Sequence, residues 1–523
     1  MSTAHTTTAG VDEHLFADFA DVAARQFDYV IVGAGCTGTI VAHQVLREQP
    51  QARVLLLEQG PYLLPDHVQN LGLAYQPLMD QAVAAPWRSD GDLDVVAQVP
   101  YLGGRTLFWS GSCPQPARHQ LRGWPAAVVD DLEREWPAAR ELLGVRPAET
   151  LNPAFGELHR QLRKRIHAGA GDIAHVLPTV EEDELDAQLA AGVPGPAGTR
   201  KFSAVPLLLR TLRRHPQTAA VVTRCHVRRV RFEGRRAVAL ETGLGTLPTG
   251  PARVILALGT TEATRLMLDS LPAAADRVGR NLAGNTASWF ACRVPRSAFP
   301  GLSEDHAELA ALYVDAATGD RQFHLHVSAS ATADPDRDLE EIYRLMPDMF
   351  GRGTPERVCD PGHVVILVHG LAELAASHAE PASRISVDSD GVTVGTFRLG
   401  PADRAVWDAM DRAAADLISL MVGDAETEYW SHADQAWVDE VPADRRMPFA
   451  VHETGTLWMG GRPDAVTDLD GRLHDADNVY VTGGALFPTR GSWNPMLTMT
   501  ALCLRLARHL ATTADAPQPA VRR

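Results

Sequence analysis

Lysine is nearly missing from this 523-residue chain: Lys164 and Lys201 stand alone among 49 basic residues, and the rest are arginine. That bias is the mark of a GC-rich coding sequence and carries no function. Basic charge is short overall, since 65 acidic residues give a formal charge of −16 at pH 7. A surface of that sign repels phosphates and argues against a nucleic-acid partner. Solubility accounts for the acidity, although a cationic substrate would also suit it. Cysteine is sparse: Cys36, Cys113, Cys225, Cys292, Cys359 and Cys503 lie far apart with no C-x-x-C pair, which points away from a zinc site or a disulfide framework. No metal is therefore expected. No apolar run approaches the roughly 20 residues that cross a bilayer, so no membrane partner is expected. The segment "MSTAHTTTAGVDEHLF" lacks the basic start and apolar stretch of a signal peptide, and a cytoplasmic location is the default expectation. The remainder is ordinary, with 45% apolar and 22% charged residues, as in a globular protein long enough for two domains.

The strongest signal runs from Phe27 to Gly60, "FDYVIVGAGCTGTIVAHQVLREQPQARVLLLEQG". A buried strand, Tyr29 to Val32, leads into Gly33, Gly35 and Gly38. A helix follows to about Arg47, and a second apolar strand, Val54 to Leu57, ends in Glu58. The three glycines serve different ends, namely a tight turn, close approach of backbone to a pyrophosphate, and close helix–strand packing. Glu58 lies where an acid binds adenosine ribose hydroxyls, about 20 residues beyond the last glycine. The whole unit in register predicts dinucleotide binding in a Rossmann-like α/β domain. Its place near the N-terminus, with the last helix also recruited, favours FAD over NAD.

Further on, "VPYLGGRTLFWSGSCPQP" (99–116) offers exposed N–H groups at Gly103 and Gly104. Residues 123–199 read as a helical, acidic insertion on the substrate side, ending in the loop "AAGVPGPAGT". Alternation through Val227, Val230 and Phe232 predicts a meander, and "RVILALG" delivers Gly259 to a helix start, so this strand is expected to rejoin the first sheet. Residues 291–451 carry strand-like runs such as "HVVILVHG" and a helix from Pro401 to about Leu420, but no legible chemical motif. They read as a substrate domain on a mixed or antiparallel sheet, with a mobile segment over 332–357. The expected division is 27–122 and 200–290 for the first two parts of the FAD domain, 123–199 for the insertion, 291–451 for the substrate domain, and 452–512 for the third part of the FAD domain. In that last part, Asn494 suits an N-cap and Pro495 the first turn of the final helix.

Taken together, the FAD fingerprint with Glu58, "GGRT" (103–106), "VGRNL" (278–282), "HETGTLWMG" (452–460) and "NVYVTGGALFPTRGSWNPMLTMTALCLRLA" (478–507) resemble the glucose–methanol–choline (GMC) oxidoreductase family of alcohol-oxidising flavoenzymes. The pattern is most similar to pyranose oxidase and bacterial sugar and glycoside oxidases. The likeness covers the flavin domain, about half the chain, and the substrate domain only loosely. It implies an FAD site drawing on Gly33, Gly35, Thr37, Gly38, Glu58, Gly103, Gly104, Thr106, Val227, Gly259, Gly484, Pro495 and Thr498. It also places the family's catalytic histidine on His452 and its partner on Asn494. Phe108 stands where pyranose oxidases carry a flavin-linking histidine, so dissociable FAD is expected. Asn285 stands where the family frequently has histidine.

The chemistry implied is removal of a hydroxyl proton while a hydride leaves the carbinol carbon. A neutral imidazole at His452 is a fitting base. Asn494 cannot titrate and would hydrogen-bond the substrate oxygen. The positive end of the helix at Pro495 would face the charge of reduced flavin, Gly483 and Gly484 would admit the cofactor, and Trp493 would either line the pocket or pack beneath its loop. The expected activity is oxidation of a primary or secondary alcohol, foremost a ring hydroxyl of a sugar, glycoside or aminoglycoside-like compound, with oxygen or another acceptor. A flavin-containing lyase of the same fold and a nonenzymatic flavoprotein are the competing readings.

Overall fold

The computed structural model describes residues 15–195, 198–347, 354–375, 383–462 and 464–513; most of the polar N-terminal segment lies outside them. In chain order, the elements that build the site are β1 (Tyr29–Val32), α1 (Cys36–Glu48), β2 (Val54–Leu57), α2 (Ala126–Leu143), β3 (Ala219–Val222), β4 (Arg253–Leu256), β5 (Ala283–Pro295), β6 (Glu308–Thr318), β7 (Arg321–Ala331), β8 (His363–Leu374), α3 (Pro401–Val422), β9 (Phe449–Thr454), β10 (Val479–Val481) and α4 (Met496–Thr512).

Five short strands form a parallel sheet in the order β10-β4-β1-β2-β3. β1 and β2 are uninterrupted apolar runs buried along their whole length, as a parallel sheet covered on both faces requires. α1 packs against α4, which in turn meets α2. Ile40, Leu55, Ile255, Leu497 and Leu506 share the resulting core. The sheet therefore draws strands from widely separated parts of the chain.

The second layer is antiparallel, with β6-β7-β8-β5 side by side and β9 paired to β5. Its strands alternate with period two. Phe290, Leu325, Val327 and Val368 point to one face and pack on Trp407, Met410 and Leu417 of α3. Asp411 ties that helix down, accepting hydrogen bonds from Ser288 Oγ at 2.6 Å and Arg446 Nε at 2.8 Å. The opposite face carries Trp289, His369, His326 and Tyr313, which stand in one register row across four strands.

The chain departs from the sequence reading in several places. β5 begins at Ala283, ahead of the boundary expected at 290, and belongs to the second sheet. The insertion 123–199 is shared between layers: α2 joins the first core, whereas the helix Glu157–Gly169 packs on β6. Val193–Gly195 and Gly198–Arg200 pair as a hairpin where a loop was expected. Within 332–357, Asp334 caps a helix, Pro335–Leu345, by accepting from Arg337 N, while 348–353 lie outside the described residues. Among the described residues no helix is long and apolar enough to cross a membrane, and no group of three or more side chains could hold a metal ion.

Candidate active site

A cavity of about 950 Å³ is lined from the first sheet by Gly33, Gly35, Glu58 and Gly259, and from the second by Trp289, His326, His369 and His452. On the first side, Gly33 has φ +102°, and a Cβ there would lie 2.4 Å from the Ala257 carbonyl oxygen. Only glycine fits so tight a turn. Gly35 ends the turn at the N-terminus of α1 and packs closely on Gly104: a Cβ on Gly35 would lie 3.9 Å from Gly104 Cα, and one on Gly104 only 3.3 Å from Gly35 Cα. Both glycines line the cavity beside the N-terminus of α1 and bring no side chain to it, which suits the close approach of a pyrophosphate. Glu58 accepts from Ala34 N at 2.9 Å and Gly60 N at 3.0 Å. Burial nonetheless pushes its carboxyl up to about 7, so a further donor to it, such as a ribose hydroxyl, would be welcome. Gly259 has φ +78° with nothing within 4 Å of a Cβ position. Glycine cradle, helix N-terminus and buried acid suit an FAD-type dinucleotide.

The second side is built around an irregularity. Ala283 pairs with Thr454 and Asn285 with Val451, so His452 and Glu453 together oppose the single residue Gly284. This is a β-bulge, and His452 adopts φ +58° within it. The left-handed conformation costs a non-glycine residue roughly 1–2 kcal/mol, and bulges of this kind re-aim side chains. The consequence is that His452 lines the cavity, with Nδ1 3.0 Å from Asn285 Oδ1. Its neighbour Glu453 is buried and pairs with Arg105 at 2.8 Å, while its carbonyl accepts from Thr260 Oγ1 at 2.6 Å.

Asn494 also lines the cavity, but not as a helix cap. α4 starts at Met496 with Pro495 as its N-cap, and no side chain caps it. Asn494 Oδ1 lies instead 2.9 Å from His326 Nε2. That nitrogen is equally 2.9 Å from His324 Nε2, and His326 Nδ1 is 3.2 Å from Ser112 Oγ. His324 is fully buried, and burial holds its imidazole well below the ordinary range. It stacks on Tyr313 with ring centres 4.6 Å apart. Trp289 stacks on His369 at 4.8 Å and 25°, giving the cavity wall a flat aromatic pair.

Of the residues singled out in the sequence, Gly33, Gly35, Thr37, Glu58, Gly104, Thr106, Val227, Gly259, Gly484, Pro495, His452 and Asn494 share this one cavity, as does Phe108. Gly38, Gly103 and Thr498 are not among its lining residues. Gly38 packs α1 against the turn, where a Cβ would sit 2.0 Å from Gly33 O. Gly103 N donates to Ala34 O at 3.0 Å, and Thr498 Oγ1 accepts from Trp493 Nε1 at 3.2 Å. Trp493 is a core side chain under its loop and does not line the cavity. The sheet histidines escaped the sequence reading, although polar His324, His326, Ser328 and Ser330 alternate with apolar residues along β7.

Residues 373–503 match the family described as GMC oxidoreductase. Over nearly its whole length the chain is similar to several curated proteins, among them the following two. It is 23% identical to the C-glycoside 3-oxidase of Microbacterium trichothecenolyticum, covering 94% of this chain and 98% of that protein. It is 25% identical to the 6'''-hydroxyparomomycin C oxidase of Streptomyces lividus, covering 95% and 94%. Among solved structures, pyridoxine 4-oxidase from Mesorbium loti shares the fold with a TM-score of 0.59 at 18% identity, covering 92% of this chain and 99% of that one.

Proposed function

We propose that this GMC oxidoreductase uses FAD to oxidise a ring hydroxyl of a sugar or glycoside, with His452 as the base. The observation that carries the proposal is that His452 and Asn494, brought from separate segments, line the same cavity as the glycine cradle and Glu58. FAD supplies the acceptor for the two electrons of the alcohol, and it is held without a covalent bond because Phe108 offers no ring nitrogen.

The chain's own part is to place and deprotonate the alcohol. An imidazole nitrogen of His452 takes the hydroxyl proton, a contribution typically worth about 10²–10⁴-fold. The Asn494 amide holds the substrate oxygen within reach of that nitrogen. The stacked pair Trp289 and His369 offers an aromatic surface to the apolar face of a sugar ring. Two of the full-length relatives, whose names record a C-glycoside and a hydroxyparomomycin as substrates, support a sugar-like compound.

The test is an anaerobic absorbance titration of the purified yellow protein against free sugars, glycosides, amino sugars and nonsugar alcohols, ended by admitting air. Bleaching by one class identifies the substrate family, and the rate at which colour returns reports whether oxygen is the acceptor. His452→Ala should slow bleaching by about 10²–10⁴-fold. An unchanged rate in that variant would refute the base assignment. Turnover without bleaching would point to lyase chemistry.

A further inference from the structure

We propose that Asn285 is a positioning residue that fixes His452 as the Nδ1–H tautomer, leaving Nε2 as the basic nitrogen. The inference rests on the reading of His452 as the base. It assigns a role to a side chain that neither the dinucleotide motif nor the His452–Asn494 pair requires.

The argument turns on which end of the Asn285 amide is oxygen. Asn285 is fully buried. One end lies 3.1 Å from the Gly491 carbonyl oxygen and 3.3 Å from that of Ala372. Carbonyl oxygens only accept, so this end must be the NH₂ group. The other end lies 2.9 Å from Arg490 Nη2, and a guanidinium only donates, so that end must be the oxygen. The two assignments are independent and agree. His452 Nδ1 stands 3.0 Å from the same oxygen and can bond to it only by carrying a proton. A neutral imidazole has a single N–H, so the lone pair belongs to Nε2.

Arg490 holds the Asn285 oxygen from a buried position. Arg490 is fully buried, stands over the ring of Trp493 and also donates to the Trp493 carbonyl. Burial brings its guanidinium down to about 9, so at neutral pH it remains a cation and a donor. Asn285 itself lies on β5 directly beside the bulge that carries His452. An amide suits this position better than a carboxylate. It accepts the Nδ1 proton without adding a negative charge that would favour a second proton on the ring.

The test uses the holoenzyme labelled with nitrogen-15 at histidine, with His452 assigned through His452→Gln. Long-range proton–nitrogen spectra at neutral pH should show His452 protonated on Nδ1 in the wild type and in Asn285→Asp, and lose that preference in Asn285→Leu. With a substrate that bleaches the flavin, Asn285→Asp should raise the acidic limb of the kcat/KM profile by about one unit or more, because an added carboxylate favours the imidazolium. Asn285→Leu should lower kcat by about 10²-fold, the scale of a misplaced base, with a smaller change in KM. Wild-type His452 protonated on Nε2 would overturn the inference, as would an unmoved acidic limb in Asn285→Asp alongside an inactive His452→Gln. If His452→Gln stays active while the Nδ1–H tautomer still depends on Asn285, the base assignment falls and the tautomer lock stands. Asn285→Asp keeps the acceptor towards His452 but sets an oxygen against the Gly491 and Ala372 carbonyls, so if either variant misfolds, the wild-type spectrum, which needs no variant, still decides the test.

Discussion

Gly35 and Gly38 sit three residues apart, at the N-cap and in the first turn of α1, yet a methyl group should harm them in different ways. At Gly38 a Cβ would lie 2.0 Å from the Gly33 carbonyl oxygen, against 3.4 Å or more in ordinary contact. The obstacle is the backbone of the Gly33 turn, so α1 itself would have to move. Overpacking of this kind costs about 1–3 kcal/mol, and stiff surroundings place Gly38→Ala near the top of that range. At Gly35 the backbone has φ −76° and the nearest atom would be 3.9 Å away, so neither strain nor clash arises. The entropy gained on replacing glycine, about 0.4–1 kcal/mol, offsets alanine's poorer fit at an N-cap. The stability of the cofactor-free protein should therefore change little in Gly35→Ala. The same methyl would stand in the cavity beside the N-terminus of α1, where a pyrophosphate is expected. Loss of one charge-assisted hydrogen bond, about 1.5–3 kcal/mol, weakens FAD roughly ten- to hundredfold. Thermal melting of the cofactor-free proteins and titration with FAD by flavin fluorescence separate the two effects. Wild-type FAD affinity in Gly35→Ala would refute the placement of the cofactor, and wild-type melting of Gly38→Ala would refute the packing argument.

Two further outcomes follow from the site. Burial raises the Glu58 carboxyl to about 7 from an ordinary 4.5, so the cofactor-free fold holds a proton that the unfolded chain releases. That stabilisation, at most about 3 kcal/mol, is complete below pH 4.5 and is lost as pH rises through about 7. Cofactor-free protein should accordingly melt lower at pH 8 than at pH 5, and Glu58→Gln should flatten the dependence; an equally steep profile in that variant would clear Glu58. Trp289→Ala removes one partner of the stacked pair on the wall and should raise KM for a sugar by up to about tenfold, since an aromatic stack is worth about 0.5–1.5 kcal/mol. A fall in kcat at constant KM would show instead that Trp289 acts on the transition state.

The sequence exposed the parts of the fold that repeat a local rule. Tyr29 to Glu58 combines a buried strand, three spaced glycines, a helix, a second strand and an acid, each set by near neighbours, and β1, α1 and β2 appear where that pattern puts them. What stayed hidden depends on residues brought together from afar. His452 enters the cavity through a bulge produced by pairing with β5, and no residue near His452 announces it. The local sequence around Asn494 suits a helix cap; the fold instead sets its side chain beside His326 of β7. The histidines of β7 did leave a trace in their period-two alternation. Alternation alone, however, marks two faces without saying which is dry, and here both are buried.

The order of strands in the parallel sheet also bears on how the chain is made. β1, β2, β3 and β4 emerge from the ribosome long before β10, and until it arrives β4 presents an unpaired row of backbone groups along Val254, Ile255 and Leu256. An open edge of that kind invites pairing with the wrong strand, and contacts so distant in sequence form late. α4, which covers α1 and α2, is later still. The glycine cradle is thus synthesised before the substrate-side layer, yet it waits through translation of that entire layer before its sheet can close. Newly made protein passes through an interval in which the antiparallel layer can be complete while the cofactor's own layer is not.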